Sequence, residues 1–318
     1  MIPLTVGEIA ELLNGVCFGD REARVTGSAV IDSRAVASGD LFVAFAGDHV
    51  DGHDFAESAH ASGATAVLGL RPIPGVPTVV VADVQTALQG LARFVLTQLR
   101  DHITVIALTG SQGKTTVKDL MTAVLSKAGT TVSTQGSFNN EIGLPLTVLR
   151  ADSETRFLIL EMGARGIGHL KELAHIAPPD LALVLNVGTA HLGEFGNRAN
   201  IAQAKGEIVD ALDEAGIAVL NADDPEVAAM KSRTTGSVIT FGLSDAADLR
   251  LSDVSLDDFG RAHFTLIHKS EQIPVAMKLL GAHQAMNAAA VAAVAVSCGL
   301  SLGECAAALQ RVSLLSPW

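Results

Sequence analysis

The chain has 318 residues, 48% of them apolar, and 10 prolines, which suits about two folded domains and excludes a disordered polymer. Its 34 Asp and Glu outweigh 22 Lys and Arg for a formal charge of -12, so non-specific nucleic-acid binding is excluded, because neutralising phosphates needs a basic surface. Three cysteines, Cys17, Cys298 and Cys305, are odd in number and lack metal-ligand spacing, as expected in a reducing cytoplasm. The start, MIPLTVGEIAELL, has no basic segment leading into an apolar one. The most apolar run, Ala288 to Val296, is far shorter than the roughly 20 residues needed to cross a bilayer. A cytoplasmic, membrane-free monomer is expected.

In chain order, Thr5 and Glu8 form a capping box, and Ile9, Leu12 and Leu13 then share one helical face. SAVIDSR and DLFVAF predict short strands, HDFAESAHASGA a helix ending at glycine, and TAVLG and TVVVAD two more strands. Residues 1–83 read as a small α/β domain. The helix VQTALQGLARFVLTQL then opens a second domain, 84–318. There ITVIAL is a continuous apolar run, the mark of a strand covered on both faces. Val117, Leu120, Met121, Val124 and Leu125 follow at helical spacing. FLIL, LALVLNV, IAVLN and SVITF predict further buried strands, residues 248–280 hairpins around DDFG, and two Ala-rich helices close the chain. The fold class is α/β, with the second domain a mainly parallel, doubly wound sheet.

Ligands of such sheets bind beyond the carboxyl ends of the strands. Thr109 to Thr116, TGSQGKTT, lies between an apolar strand and an amphipathic helix, the context of a phosphate-binding loop. Gly110 and Gly113 allow close backbone approach, Ser111 and Gln112 lie between them, Lys114 adds charge, and Thr115 and Thr116 open the helix. Leu108 stands where the commonest loop of this kind has an early glycine. Glu161 ends the next strand and reads equally as a solvated acid or a magnesium ligand. His191 and Lys205, each alone, read as a hydrogen-bonded histidine and a surface lysine. Asn139 and Asn140 suit a turn or a polar ligand, and NADDP (221–225) a strand-ending turn.

Taken together these motifs resemble the Mur ligases, ATP-dependent enzymes of bacterial cell-wall synthesis, whose loop T-G-x-x-G-K-T-T needs no early glycine. The resemblance is most specific to the MurF type. IDSRAVASGDLFVAFAGDHVDGHDF, FNNEIGLPLT, EMGARGIGHL, NVGTAHLGEFG with AKGEI, and NADDP with GAHQAMNA carry it across nearly the whole chain, in the family's order.

It implies that the loop and Lys114 hold ATP, that Thr115 and Glu161 hold one magnesium, and that His191 serves a second with Lys205, which the family carries as a carbamate. Asn287 would contact adenine. Ser33 and Arg34 would hold the UDP part of UDP-N-acetylmuramoyl-tripeptide, and Asn139, Asn140 and Arg165 would face its peptide. The implied reaction joins D-alanyl-D-alanine to that peptide through an acyl phosphate.

Two departures stand out. Gln284 replaces the asparagine of the family's G-x-H-N, which bears on adenine. The chain also stops at SLLSPW, ending in Trp318, where the family continues into a Rossmann-like domain, so binding without ligation is the expectation. The rivals are a MurE-type ligase, a folylpolyglutamate synthase, and a non-catalytic nucleotide or UDP-sugar module.

Overall fold

The first helix, Val6–Leu12, starts where its capping box places it. Glu8 N donates to Thr5 Oγ1 at 3.1 Å, and Thr5 N donates back to the Glu8 carboxylate at 2.7 Å. In this computed structural model, which describes residues 1–47, 49–188 and 192–313, the chain divides into two units.

The first unit comprises Met1–His102 and Glu141–Glu154. Its main sheet runs Val16–Phe18, Thr78–Val80, Ala66–Gly69, Leu41–Val43, Ala29–Val30, and only the first pairing is antiparallel. The strands Ala66–Gly69 and Leu41–Val43 are buried at every position, which is why they read as apolar runs rather than alternations. Phe42 packs with Ala56, Ala59 and Val67 in the core.

The division differs from the one expected at residue 84. The helix Val84–Leu99 belongs to the first unit, with Leu88, Leu91, Ala92 and Val95 buried. A short helix, Gly143–Val148, packs against it. Gln89 Nε2 donates to Glu141 O at 3.0 Å. An amphipathic helix settles where its apolar stripe is covered, and here the cover arrives from a segment distant in the chain.

Among the described residues the second unit, Ile103–Asn140 with Thr155–Trp318, is built on nine strands. Their order is Glu271–Leu280, Arg261–His268, Leu249–Leu256, Ser237–Gly242, Ile217–Asn221, Leu181–Val184, Thr104–Thr109, Phe157–Glu161, Thr131–Ser133. Pairings from Leu249–Leu256 to Thr131–Ser133 are parallel, and the two outer hairpin pairings are antiparallel. After Thr104–Thr109 the chain goes to the far edge at Thr131–Ser133, then returns to cross to the other side at Leu181–Val184. That reversal opens a crevice at the carboxyl end of Thr104–Thr109. Leu108, Leu120, Met121, Ile159, Leu183 and Val291 lie in the core beneath it. Among the described residues no helix is long and apolar enough to cross a membrane.

Candidate active site

The strand Thr104–Thr109 delivers the chain into the loop, and helix Lys114–Leu125 leaves it. A Cβ on Gly110 would lie 2.8 Å from Leu185 Cβ, so the close passage of loop over strand end requires glycine there. Gly113 has φ +81°, a left-handed conformation costly for any other residue. The first intrahelical bond runs from Val117 N to Gly113 O at 2.9 Å. The amides of Lys114, Thr115 and Thr116 precede it, and first-turn amides of this kind suit an anion. Lys114 Nζ lies across the loop, donating to Gly110 O at 3.0 Å. Burial lowers the pKa of this ammonium, while the charge of Glu161 acts the other way.

The loop is held from outside by a residue the sequence reading missed. Asn186, just past Leu181–Val184, accepts Ser111 N and Gln112 N at its Oδ1, both at 3.0 Å, and its Nδ2 donates to Gln112 O at 3.1 Å. Gly188 N donates to Ser111 Oγ at 2.9 Å. These bonds use the amides of the loop's near limb and leave those of the helix start for a ligand. A lone asparagine after a strand is no signal in itself; the adjacency of the two strand ends makes it one.

Glu161 is 2% exposed, at the end of the strand next to the loop. Its carboxylate accepts the Thr115 hydroxyl at 3.2 Å and Asn139 Nδ2 at 3.0 Å, and Thr134 Oγ1 accepts its backbone N–H at 3.0 Å. Three motifs from separate stretches thus meet. A carboxylate facing a hydroxyl beside a phosphate loop is a hard-oxygen donor set, and it fits magnesium, which takes few protein ligands and fills its remaining positions with water and phosphate oxygens. Among the described residues no cluster of three or more His, Cys, Asp or Glu could hold a metal by itself. His191 lies outside the described residues.

Lys205, on helix Arg198–Asp210, is 6% exposed, which corrects its reading as a surface lysine. Burial, reinforced by the charge of Lys114, lowers its pKa to about 7. An unmodified amine is a poor partner for magnesium; a carbamate oxygen on the same nitrogen would fit. Two residues on, the buried Glu207 accepts Gly168 N at 2.5 Å and Lys171 N at 3.0 Å. Arg165 is exposed in the loop before them, its backbone N–H donating to His169 Nδ1 at 3.2 Å.

Residues 108–295 match the Mur ligase middle domain, and residues 28–95 match the catalytic domain of the Mur ligase family. The chain belongs to the Mur ligase family. It is 47% identical to the UDP-N-acetylmuramoyl-tripeptide--D-alanyl-D-alanine ligase of Mycobacterium tuberculosis, an alignment covering 99% of this chain and 67% of that protein. The structure of MurF from Acinetobacter baumannii superposes with a TM-score of 0.86 at 31% identity, covering 98% of this chain and 68% of that one. The Thermotoga maritima MurF ligase, in complex with ADP, superposes at 0.75 with 33% identity over 89% and 66%.

In this Mur ligase the departure at Gln284 has a local explanation. Gln284 is buried, and its Oε1 accepts Asn287 Nδ2 at 3.1 Å. The other side of that amide faces the phosphate loop, since a Cβ on Gly113 would lie 3.1 Å from Asn287 Oδ1. Asn287 therefore stands against the loop with its amide orientation set by Gln284. NADDP is a brace: Asn221 Nδ2 donates to Leu185 O at 2.8 Å, Asp223 accepts Leu243 N and Ser244 N, and Asp224 accepts Val187 N at 2.7 Å.

In the first unit, Ser33 and Arg34 line a cleft of about 720 Å³ with Phe45, Val50, Phe55 and Ile142. The Arg34 guanidinium, 88% exposed, is turned onto Asp32, with Nε to Oδ1 2.9 Å and Nη2 to Oδ2 2.7 Å. This pairing lowers the Asp32 pKa to about 2. Gly52 is obligatory in the wall, because a Cβ there would meet Phe45 O at 2.8 Å.

Proposed function

We propose that this chain is a Mur ligase of the MurF type, a cytoplasmic enzyme of cell-wall precursor synthesis that forms an amide bond between UDP-N-acetylmuramoyl-tripeptide and D-alanyl-D-alanine with ATP. The observation that carries this reading is the meeting of Lys114, the Thr115–Glu161 pair and Asn139 beyond the ends of adjacent strands. A phosphate loop alone indicates only nucleotide; the buried acid beside it would take a cation between nucleotide and a second substrate, and the neighbouring amide can meet that substrate's polar groups.

The amides of Lys114 to Thr116 and the Lys114 ammonium hold the ATP phosphates, and the Asn186 clasp keeps the loop in the conformation that presents them. Thr115 and Glu161 would hold magnesium, which would neutralise phosphate charge, and His191 with a carbamylated Lys205 would serve a second ion. The pKa of Lys205 supports the carbamate, because only the neutral amine adds to carbon dioxide, forming the N–C bond and releasing a proton. Asn139, Asn140 and Arg165 orient the peptide, whose terminal carboxylate oxygen attacks the γ-phosphorus as ADP leaves. The dipeptide amine then attacks the acyl-phosphate carbonyl, losing a proton as inorganic phosphate departs. The protein forms no bond to either reactant in these steps, so positioning and charge dominate. The apolar cleft with Ser33 and Arg34 suits a uracil ring and its polar edge.

Calorimetric titration tests the proposal. ATP with magnesium and UDP-N-acetylmuramoyl-tripeptide should each bind the unaltered chain. Lys114→Ala should lose at least about tenfold in ATP affinity, the scale of one buried charged contact, and keep the UDP-substrate affinity. Tighter binding of the UDP-muramoyl dipeptide than of the tripeptide would refute the MurF assignment in favour of the MurE type.

A further inference from the structure

The loop of residues 162–168, between Phe157–Glu161 and helix His169–Ile176, has the sequence Met-Gly-Ala-Arg-Gly-Ile-Gly. Its first half is held, with Met162 buried, Gly163 close against Asn139 and Arg165 N donating to His169 Nδ1 at 3.2 Å, while its second half is open. Cβ atoms on Gly166 and Gly168 would meet no atom within 4 Å, and Ile167 is exposed. Gly168, at φ +93°, is the N-cap of the helix and has no side chain with which to cap it. A glycine-rich stretch that is open from Gly166 to Gly168 carries a high conformational entropy, so the bonds at its ends help to set where its one arginine stands.

Those bonds are at the two ends. At the start, Met162 N donates to Leu108 O and Gly163 N to Asn139 O, both at 2.9 Å. At the far end, the capping that Gly168 cannot provide comes from another helix. One Glu207 oxygen accepts Gly168 N at 2.5 Å, and the other accepts Lys171 N at 3.0 Å. A buried carboxylate on two first-turn amides is favoured both by charge-assisted hydrogen bonding and by the helix dipole. Glu207 sits on Arg198–Asp210, two residues after Lys205. The same helix turn is locked from behind: the Arg233 guanidinium, paired with Asp210 and donating to Gln203 O, lies over Gly206 where a Cβ would collide with it.

We infer that Glu207 is a positioning residue for the ligation reaction: its carboxylate fixes the Arg165 loop to the helix that carries Lys205, so that the arginine meeting the peptide and the lysine serving the phosphate end are held by one element. This inference rests on the proposed role of Arg165 toward the peptide. It assigns Glu207 no contact with substrate.

The test uses the full chain and the variants Glu207→Ala, Glu207→Gln, Arg165→Ala and the Glu207→Ala/Arg165→Ala double, each read by hydrogen exchange and by titration with UDP-N-acetylmuramoyl-tripeptide and with ATP. Glu207→Ala should lose amide protection at Gly168 and Lys171, weaken tripeptide binding about tenfold, and leave ATP binding unchanged. Glu207→Gln, which keeps one acceptor, should fall between the two, and serves alone where the alanine variant does not fold. The double variant should bind no more weakly than Arg165→Ala, because both act through one contact. Full tripeptide affinity in the Glu207 variants, with Arg165→Ala weakened, overturns the inference, as does retained protection at both amides. Unchanged tripeptide affinity in Arg165→Ala instead removes the role given to Arg165, and with it the link to the reaction.

Discussion

At the scale of single residues, environment decides chemistry, and Lys205 is the clearest case. Read alone, without the resemblance that AKGEI carries, it is an isolated lysine, which is normally solvated. The fold buries it near a second cation, and the two effects together bring its pKa to about 7. Near pH 7.4 a large share of such an amine is neutral, against roughly one part in a thousand for an ordinary lysine. The sign is clear: protonation becomes progressively complete below pH 7, and the amine stays nucleophilic above it. In 13C NMR with labelled bicarbonate, a carbamate resonance should appear at pH 8, fade as the pH falls through 7, and be missing in Lys205→Ala. A resonance equally strong in Lys205→Ala would contradict this. The burial behind that reactivity could not be read from the chain, because the neighbouring Lys114 is far away in sequence.

At the scale of elements, what is legible is what local physics controls. Both capping boxes act within four residues: Thr5 with Glu8, and Ser301 with Glu304, where Glu304 N donates to Ser301 Oγ at 3.3 Å and Ser301 N donates back at 2.8 Å. The long helix Val84–Leu99 and the buried strands carry their period in their own residues. Short edge strands do not: Val16–Phe18 and Thr131–Ser133 are three residues each with none fully buried, too short for a period to mark them. Gly143–Val148 is helical despite Gly and Pro near its start, because every one of its residues is buried. Loss of a cap costs about 1 kcal/mol. Ser301→Ala should therefore lower the melting temperature of the chain by about 2–4 °C in calorimetry, with Ser301→Gly losing less.

At the scale of the whole molecule, the two units are not consecutive pieces of chain. The first recruits Glu141–Glu154, whose helix covers part of Val84–Leu99. A fragment of residues 1–102 should therefore unfold at lower denaturant than the same fragment linked to residues 141–154, followed by circular dichroism; equal midpoints would contradict the assignment of that segment. The sequence by itself determined the strand–loop–helix context of Thr109 to Thr116, the α/β class and the family, because hydrophobic period, glycine placement and motif order are properties of neighbours along the chain. Only the tertiary structure decided that Asn186 clasps the loop, that Thr115, Asn139 and Glu161 converge, that Lys205 is buried, and that Glu207 caps a helix not its own. In a parallel sheet the order of strands differs from their order in sequence, so residues far apart in the chain share one set of strand ends, and which of them meet depends on that order alone.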